Sequence, residues 1–60
     1  MEMTIKINMD NAAFEEFASG ELSRILQGIQ LAVENKALIE LDGMKLRDTN
    51  GNTVGAIKLK

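Results

Sequence analysis

Asn50-Gly51 is the feature that most restricts how this chain can fold. Asn-Gly is the preferred pair for a two-residue type I′ turn, which needs positive φ at both central positions. A turn there opposes Thr49 to Asn52, Arg47 to Val54, Leu46 to Gly55, Lys45 to Ala56 and Met44 to Ile57. Met44, Leu46, Ile57 and Leu59 then share one face, and Lys45, Arg47 and Lys58 share the other. Turn chemistry and hydrophobic alternation thus agree on one register, and a one-residue slip would turn every apolar side chain outward.

A second stretch supports a sheet. Residues 3 to 9 alternate strictly, with Met3, Ile5, Ile7 and Met9 on one face and Thr4, Lys6 and Asn8 on the other. This is the pattern of a half-buried strand. Asp10 or Asn11 can then cap a short helical segment over residues 12 to 18, with Phe14 and Phe17 three apart on one face. Ser19 reads as the N-cap of a longer helix from about Gly20 to Asn35, with Glu21 in its first turn. Leu22, Ile25, Leu26, Ile29, Ala32 and Val33 recur at helical period and make one apolar stripe. Gly28 lies at the stripe's edge, where it can admit a close neighbour. Leu31 points about 180° away from Leu22 at 100° per residue.

Asp42-Gly43 is a second turn signal. It opposes Leu41 to Met44, Glu40 to Lys45 and Ile39 to Leu46, so Leu38 to Leu41 reads as a further strand or as a loop tucked under the core. The expected fold is therefore α+β. A small three- or four-stranded, mostly antiparallel sheet, in the order β-α-β-β or β-α-β-β-β, packs on one amphipathic helix as a single domain over residues 1 to 60. A chain this short buries only about 60% of its unfolded surface, so its stability is marginal without further help. Disulfides and histidine- or cysteine-based metal sites are excluded, because there is no cysteine and no histidine.

The same absences restrict function. Nucleophile-base pairs built on histidine or cysteine are unavailable, so no enzyme is expected. Glu15 and Glu16 face different directions on a helix and make a poor carboxylate dyad. Scattered glycines offer no phosphate loop, and nothing calls for a cofactor. Asp48, Asn50 and Asn52 alternate as in a calcium loop, but that loop wants glycine at position 6 and glutamate at position 12. Here position 4 is Gly51 and position 12 is Leu59. The longest apolar run is three residues, too short to span a membrane. MEMTIKINMD lacks the basic and apolar regions of a signal peptide, so a cytoplasmic location is expected.

Net charge is only −2, so distribution matters more than the total. Lys6, Lys45, Arg47 and Lys58, with Lys60 beside them, fall on the solvent face of the sheet, whereas Glu15, Glu16, Glu21 and Glu34 fall on the helical layer. The basic face is the candidate binding surface. Nucleic acid is an alternative ligand for it, but stacking platforms carry aromatics and neither phenylalanine lies on a strand. Leu31, Leu38, Val54 and Ala56 are apolar residues outside the expected core. They are the candidate interface of a homo-oligomer, by preference a symmetric dimer.

Asp10-Asn-Ala-Ala-Phe-Glu15, then Glu21-Leu-x-Arg24-Ile-Leu26, then Leu46-Arg-Asp-x-Asn-Gly-Asn-x-Val-Gly55 resemble a group of short hypothetical proteins of tailed bacteriophages and prophages. The resemblance spans most of the chain apart from residues 33 to 45. No activity is established for that group, so it assigns no functional residue. It implies a setting in the host bacterial cytoplasm and action by binding. The implied target is a host protein, such as a CRISPR effector or another defence factor; an oligomeric sponge for a signal nucleotide is a further alternative.

Overall fold

The computed structural model describes all residues 1–60. Strand β1 (Met3–Ile7) leads through a 3-10 turn (Ala12–Phe14) into helix α1 (Ala18–Asn35). A second 3-10 turn (Leu38–Leu41) precedes β2 (Lys45–Arg47) and β3 (Thr53–Leu59). The strands form one antiparallel sheet in the order β1-β3-β2, and the helix packs on one face of it. This is the small α+β fold expected, in its β-α-β-β form.

Leu38 to Leu41 is not a strand. Asp42 (φ −65°, ψ 125°) and Gly43 (φ 80°) form a type II turn, closed by Met44 N donating to Leu41 O at 3.1 Å. Gly43 N already donates to Ile57 O at 2.8 Å, so hydrogen bonding to β3 begins within this turn. Leu59 N is met instead by the Asp42 side chain, at 2.9 Å. The 3-10 coil drives Leu41 fully into the core (0% exposed) and leaves Ile39 80% exposed.

The β2–β3 hairpin keeps its register by two compensating departures. Asn50 has no positive φ, so the type I′ turn is absent. The loop is Thr49-Asn50-Gly51, with Gly51 at φ 85°, and Asp48 N donates to Asn52 O at 2.9 Å across it. Arg47 therefore opposes Thr53 rather than Val54. A bulge at Val54 then restores Leu46 opposite Gly55 and Lys45 opposite Ala56. The extra residue turns inward, so Val54 is a core residue and not the outer-face residue expected.

Helix α1 starts earlier than Ser19 allows. Glu21 N donates to Phe17 O at 3.0 Å, so Phe17 occupies the N-cap position and Ser19 sits inside the first turn. The first 3-10 turn is shorter than expected. Asn11 caps it through Oδ1, which accepts from Ala13 N at 3.1 Å. Phe14 is buried, whereas the Phe17 ring lies over Gly20 and is exposed.

The core is Phe14, Ile25, Ile29, Leu41, Leu46, Val54 and Ile57. Only part of the helical stripe enters it. Leu26 (47% exposed) and Val33 (49%) remain largely in solvent, as do Met3 (37%) and Ile5 (39%) on β1. Gly28 meets no close neighbour. Gly55 does: a Cβ there would collide with the backbone carbonyl of Lys6, so β1 and β3 approach closely because residue 55 has no side chain.

Candidate functional site

The outer sheet face gathers three of the four predicted basic residues. Lys6 on β1 and Lys45 on β2 both oppose Ala56 on β3, one from each side. Lys58 lies two residues along β3, opposite Thr4. Alternation turns all three away from the helix, because their neighbours Ile5, Leu46 and Ile57 share the face that carries the core. Lys60 extends the row. Glu2, Thr4, Lys6, Ala56, Lys58 and Lys60 line a shallow depression of about 360 Å³.

Arg47 stands apart from this group. It lies beyond the bulge, and its Nη1 donates to Gly51 O at 3.3 Å, which folds the guanidinium onto the hairpin loop. None of the lysines has a carboxylate partner, since the single ion pair of the chain joins Arg24 to Glu21. Glu2 is the one acidic residue lining the depression. No aromatic ring stands on this face.

The oligomer candidates do not form one patch. Leu31 is exposed on the helix, Leu38 is exposed on the second 3-10 turn, Ala56 is exposed on the outer sheet face and Val54 is buried. Met3 and Ile5 on β1 and Leu26 and Val33 on α1 are further exposed apolar residues.

A buried polar cluster is the feature that sequence reasoning missed. The Asp48 carboxylate accepts from Asn50 N (2.9 Å), Asn52 N (2.8 Å), Asn52 Nδ2 (3.2 Å) and Asn11 Nδ2 (2.7 Å). Glu21 accepts from Arg24 Nε at 2.6 Å and from Thr49 N at 2.7 Å. Arg24 Nη2 donates to Arg47 O at 2.8 Å. Burial pushes the Asp48 carboxyl up, but the donors from Asn52, Asn50 and Asn11 outweigh it and hold the group below its ordinary value. Glu21 is also held low, by the Arg24 guanidinium first and then by the Thr49 amide. Arg24 is raised in return, chiefly by its hydrogen bond to Glu21.

N–H donors occupy both carboxylates, so the cluster braces helix, hairpin and β1 connection together. No three His, Cys, Asp or Glu side chains are grouped to hold a metal ion. The Asp48-x-Asn50 spacing, which lets an aspartate accept from the amide two residues on, was the signal for the loop half of this brace. No helix is long and apolar enough to cross a membrane. The chain matches no family model, and no curated protein or solved structure is significantly similar to it.

Proposed function

We propose that this chain is a non-catalytic binding protein whose outer sheet face docks on an acidic surface of another protein. The observation that carries this reading is the row formed by Lys6, Lys45 and Lys58 around Ala56, with no carboxylate partner inside the chain. Such a row, unpaired within the chain, attracts an acidic partner over a distance of about one Debye length, 8 to 10 Å. The phage resemblance supplies the setting: an accessory protein in the bacterial cytoplasm that inhibits or redirects a host protein, a defence effector such as a CRISPR nuclease among the candidates. The same reading has the chain act as a homo-oligomer, by preference a dimer, because it exposes apolar residues beyond those its core uses.

The test is capture from host lysate at native salt, followed by reconstitution from purified components. The wild-type chain retains one acidic partner, and the Lys6→Glu/Lys45→Glu/Lys58→Glu variant loses it. Equal capture by both removes the reading. The same row favours nucleic acid as a second reading, and the missing aromatics count against it. Binding of single-stranded DNA that falls steeply with salt would replace the protein partner with nucleic acid.

A further inference from the structure

We propose that two copies of this chain pair antiparallel through the open edge of β1, about a two-fold axis at Thr4, to form a continuous six-stranded sheet. The proposal deepens the self-association part of the functional reading and rests on it; it shares Lys6 with the docking face but does not need the acidic partner, which Lys45 and Lys58 still address.

Three observations carry it. The first is the edge itself. Glu2 and Lys60 exchange both backbone hydrogen bonds, at 2.8 and 2.9 Å, and Asn8 N donates to Val54 O at 2.7 Å. Alternation then directs the amides and carbonyls of Glu2, Thr4, Lys6 and Asn8 toward β3. Those of Met3, Ile5 and Ile7 point to the open edge. The opposite edge of the sheet is a poorer template: β2 has three residues, it lies beside a bulge, and Arg24 already covers its Arg47 carbonyl.

The second observation is charge. Lysine on an edge strand commonly blocks strand addition. Here Lys6 selects a register instead. Pairing centred on Lys6 sets the two lysines against each other. Pairing centred on Ile5 sets each Lys6 against Thr4. Pairing centred on Thr4 sets each Lys6 directly opposite Glu2 of the other copy, twice over, and both residues lack an ion-pair partner within their own chain. Opposite charges that face each other directly stabilise a strand pair, and like charges destabilise it.

The third observation is the apolar surface beside that edge. Met3 and Ile5 oppose Leu59 and Ile57, so they stand on the helix-bearing face of the sheet, yet α1 leaves them 37% and 39% exposed. Glu21 and Arg24 direct one side of α1 toward the β2 hairpin. Leu26 and Val33 lie about 140° and 120° round the helix from Glu21, at 100° per residue, and so look toward β1. In the Thr4-centred register each Met3 pairs with Ile5 of the other copy. Four apolar residues of each chain then line one trough over the seam, on the opposite face from the two Glu2–Lys6 pairs.

Thr4→Cys tests the axis directly, because the protein has no other thiol. A non-hydrogen-bonded pair on a two-fold axis has Cα atoms about 4.5 Å apart, within the range a disulfide accepts. Mild oxidation is expected to convert this variant to a covalent dimer and to leave Lys58→Cys, on the same face but a strand further in, uncrosslinked. Light scattering across concentration tests the register. Glu2→Lys and Lys6→Glu are each expected to weaken the dimer about tenfold, since both ion pairs become like-charge contacts, and the double variant is expected to recover it. A dimer that neither crosslinks through Thr4→Cys nor responds to the charge swap overturns the seam and leaves self-association standing. A wild-type chain that stays monomeric at millimolar concentration overturns both.

Discussion

Asn11 Nδ2 donates to Asp48 Oδ2 at 2.7 Å, across 37 residues of sequence. This one bond ties the connection after β1 to the loop between β2 and β3. Glu21 extends the tie to α1 through the Thr49 amide. A sheet of three short strands and one helix is thus held at its hairpin end by two buried carboxylates.

Those carboxylates make the fold acid-sensitive. Asp48 and Glu21 are both held below their ordinary values of 3.8 and 4.5. The unfolded chain therefore takes up protons at a higher pH than the folded one. Their stabilisation is complete above the ordinary values and is lost as pH falls through the lowered, folded-state values, beginning at about pH 5. Melting temperature followed from neutral to strongly acid pH should drop over that window. Asp48→Asn should melt lower at neutral pH and show a shallower acid slope. An unchanged slope would show that the brace is not what acid breaks.

The second 3-10 turn separates two neighbouring apolar residues. Leu41 is fully buried and Ile39 is 80% exposed. Leu41→Ala should cost about 2 to 5 kcal/mol by the cavity it leaves. Ile39→Ala should change stability by no more than about 0.5 kcal/mol. Had these residues formed a strand, Ile39 would pair with Leu46 on the core face and both substitutions would be costly. Denaturant midpoints of the two variants decide between the arrangements.

Two glycines should respond with opposite sign when replaced by alanine. Gly28 lies within α1 with open space around it, so Gly28→Ala should stabilise by about 1 kcal/mol through helix propensity alone. Gly55→Ala should destabilise by about 1 to 3 kcal/mol, because the new methyl group meets the Lys6 carbonyl and forces β1 from β3. Thermal melts of the pair read both signs in one experiment.

Ile29 and Leu31, two positions apart on α1, should also diverge. Ile29→Ala should cost about 2 to 5 kcal/mol, most of the stability a domain this small holds. Leu31→Ala should leave stability within about 0.5 kcal/mol of wild type, since Leu31 is exposed. Equal losses would mean that α1 presents a different face to the sheet.

Much of the basic face was readable in advance because a strand has period two. Once Lys45 opposes Ala56 and residues 3 to 7 alternate, Lys6, Lys45 and Lys58 must project from one side. Arg47 left that group because the bulge altered its neighbours and its guanidinium found the Gly51 carbonyl. Val54 shows the same limit from the other side. Alternation counted from the turn sends it outward, and one extra residue in the strand reverses it. A pattern of alternating residues cannot reveal a bulge, because the bulge is a compromise between loop length and core packing.

Local patterns in the sequence by themselves determined that β1, β2 and β3 are strands and α1 a helix, the sheet register through Lys45 and Leu46, and the absence of any cysteine or histidine chemistry. These follow from period, turn residues and composition, which act over a few positions. Tertiary structure decided the rest: which flank of the helical stripe is covered, that Leu38 to Leu41 coils so that Leu41 reaches the core, and that Asp48 and Asn11 meet. Those outcomes depend on how much apolar surface one helix can cover on a three-stranded sheet. They also depend on contacts between residues far apart in the chain, and no local pattern encodes either.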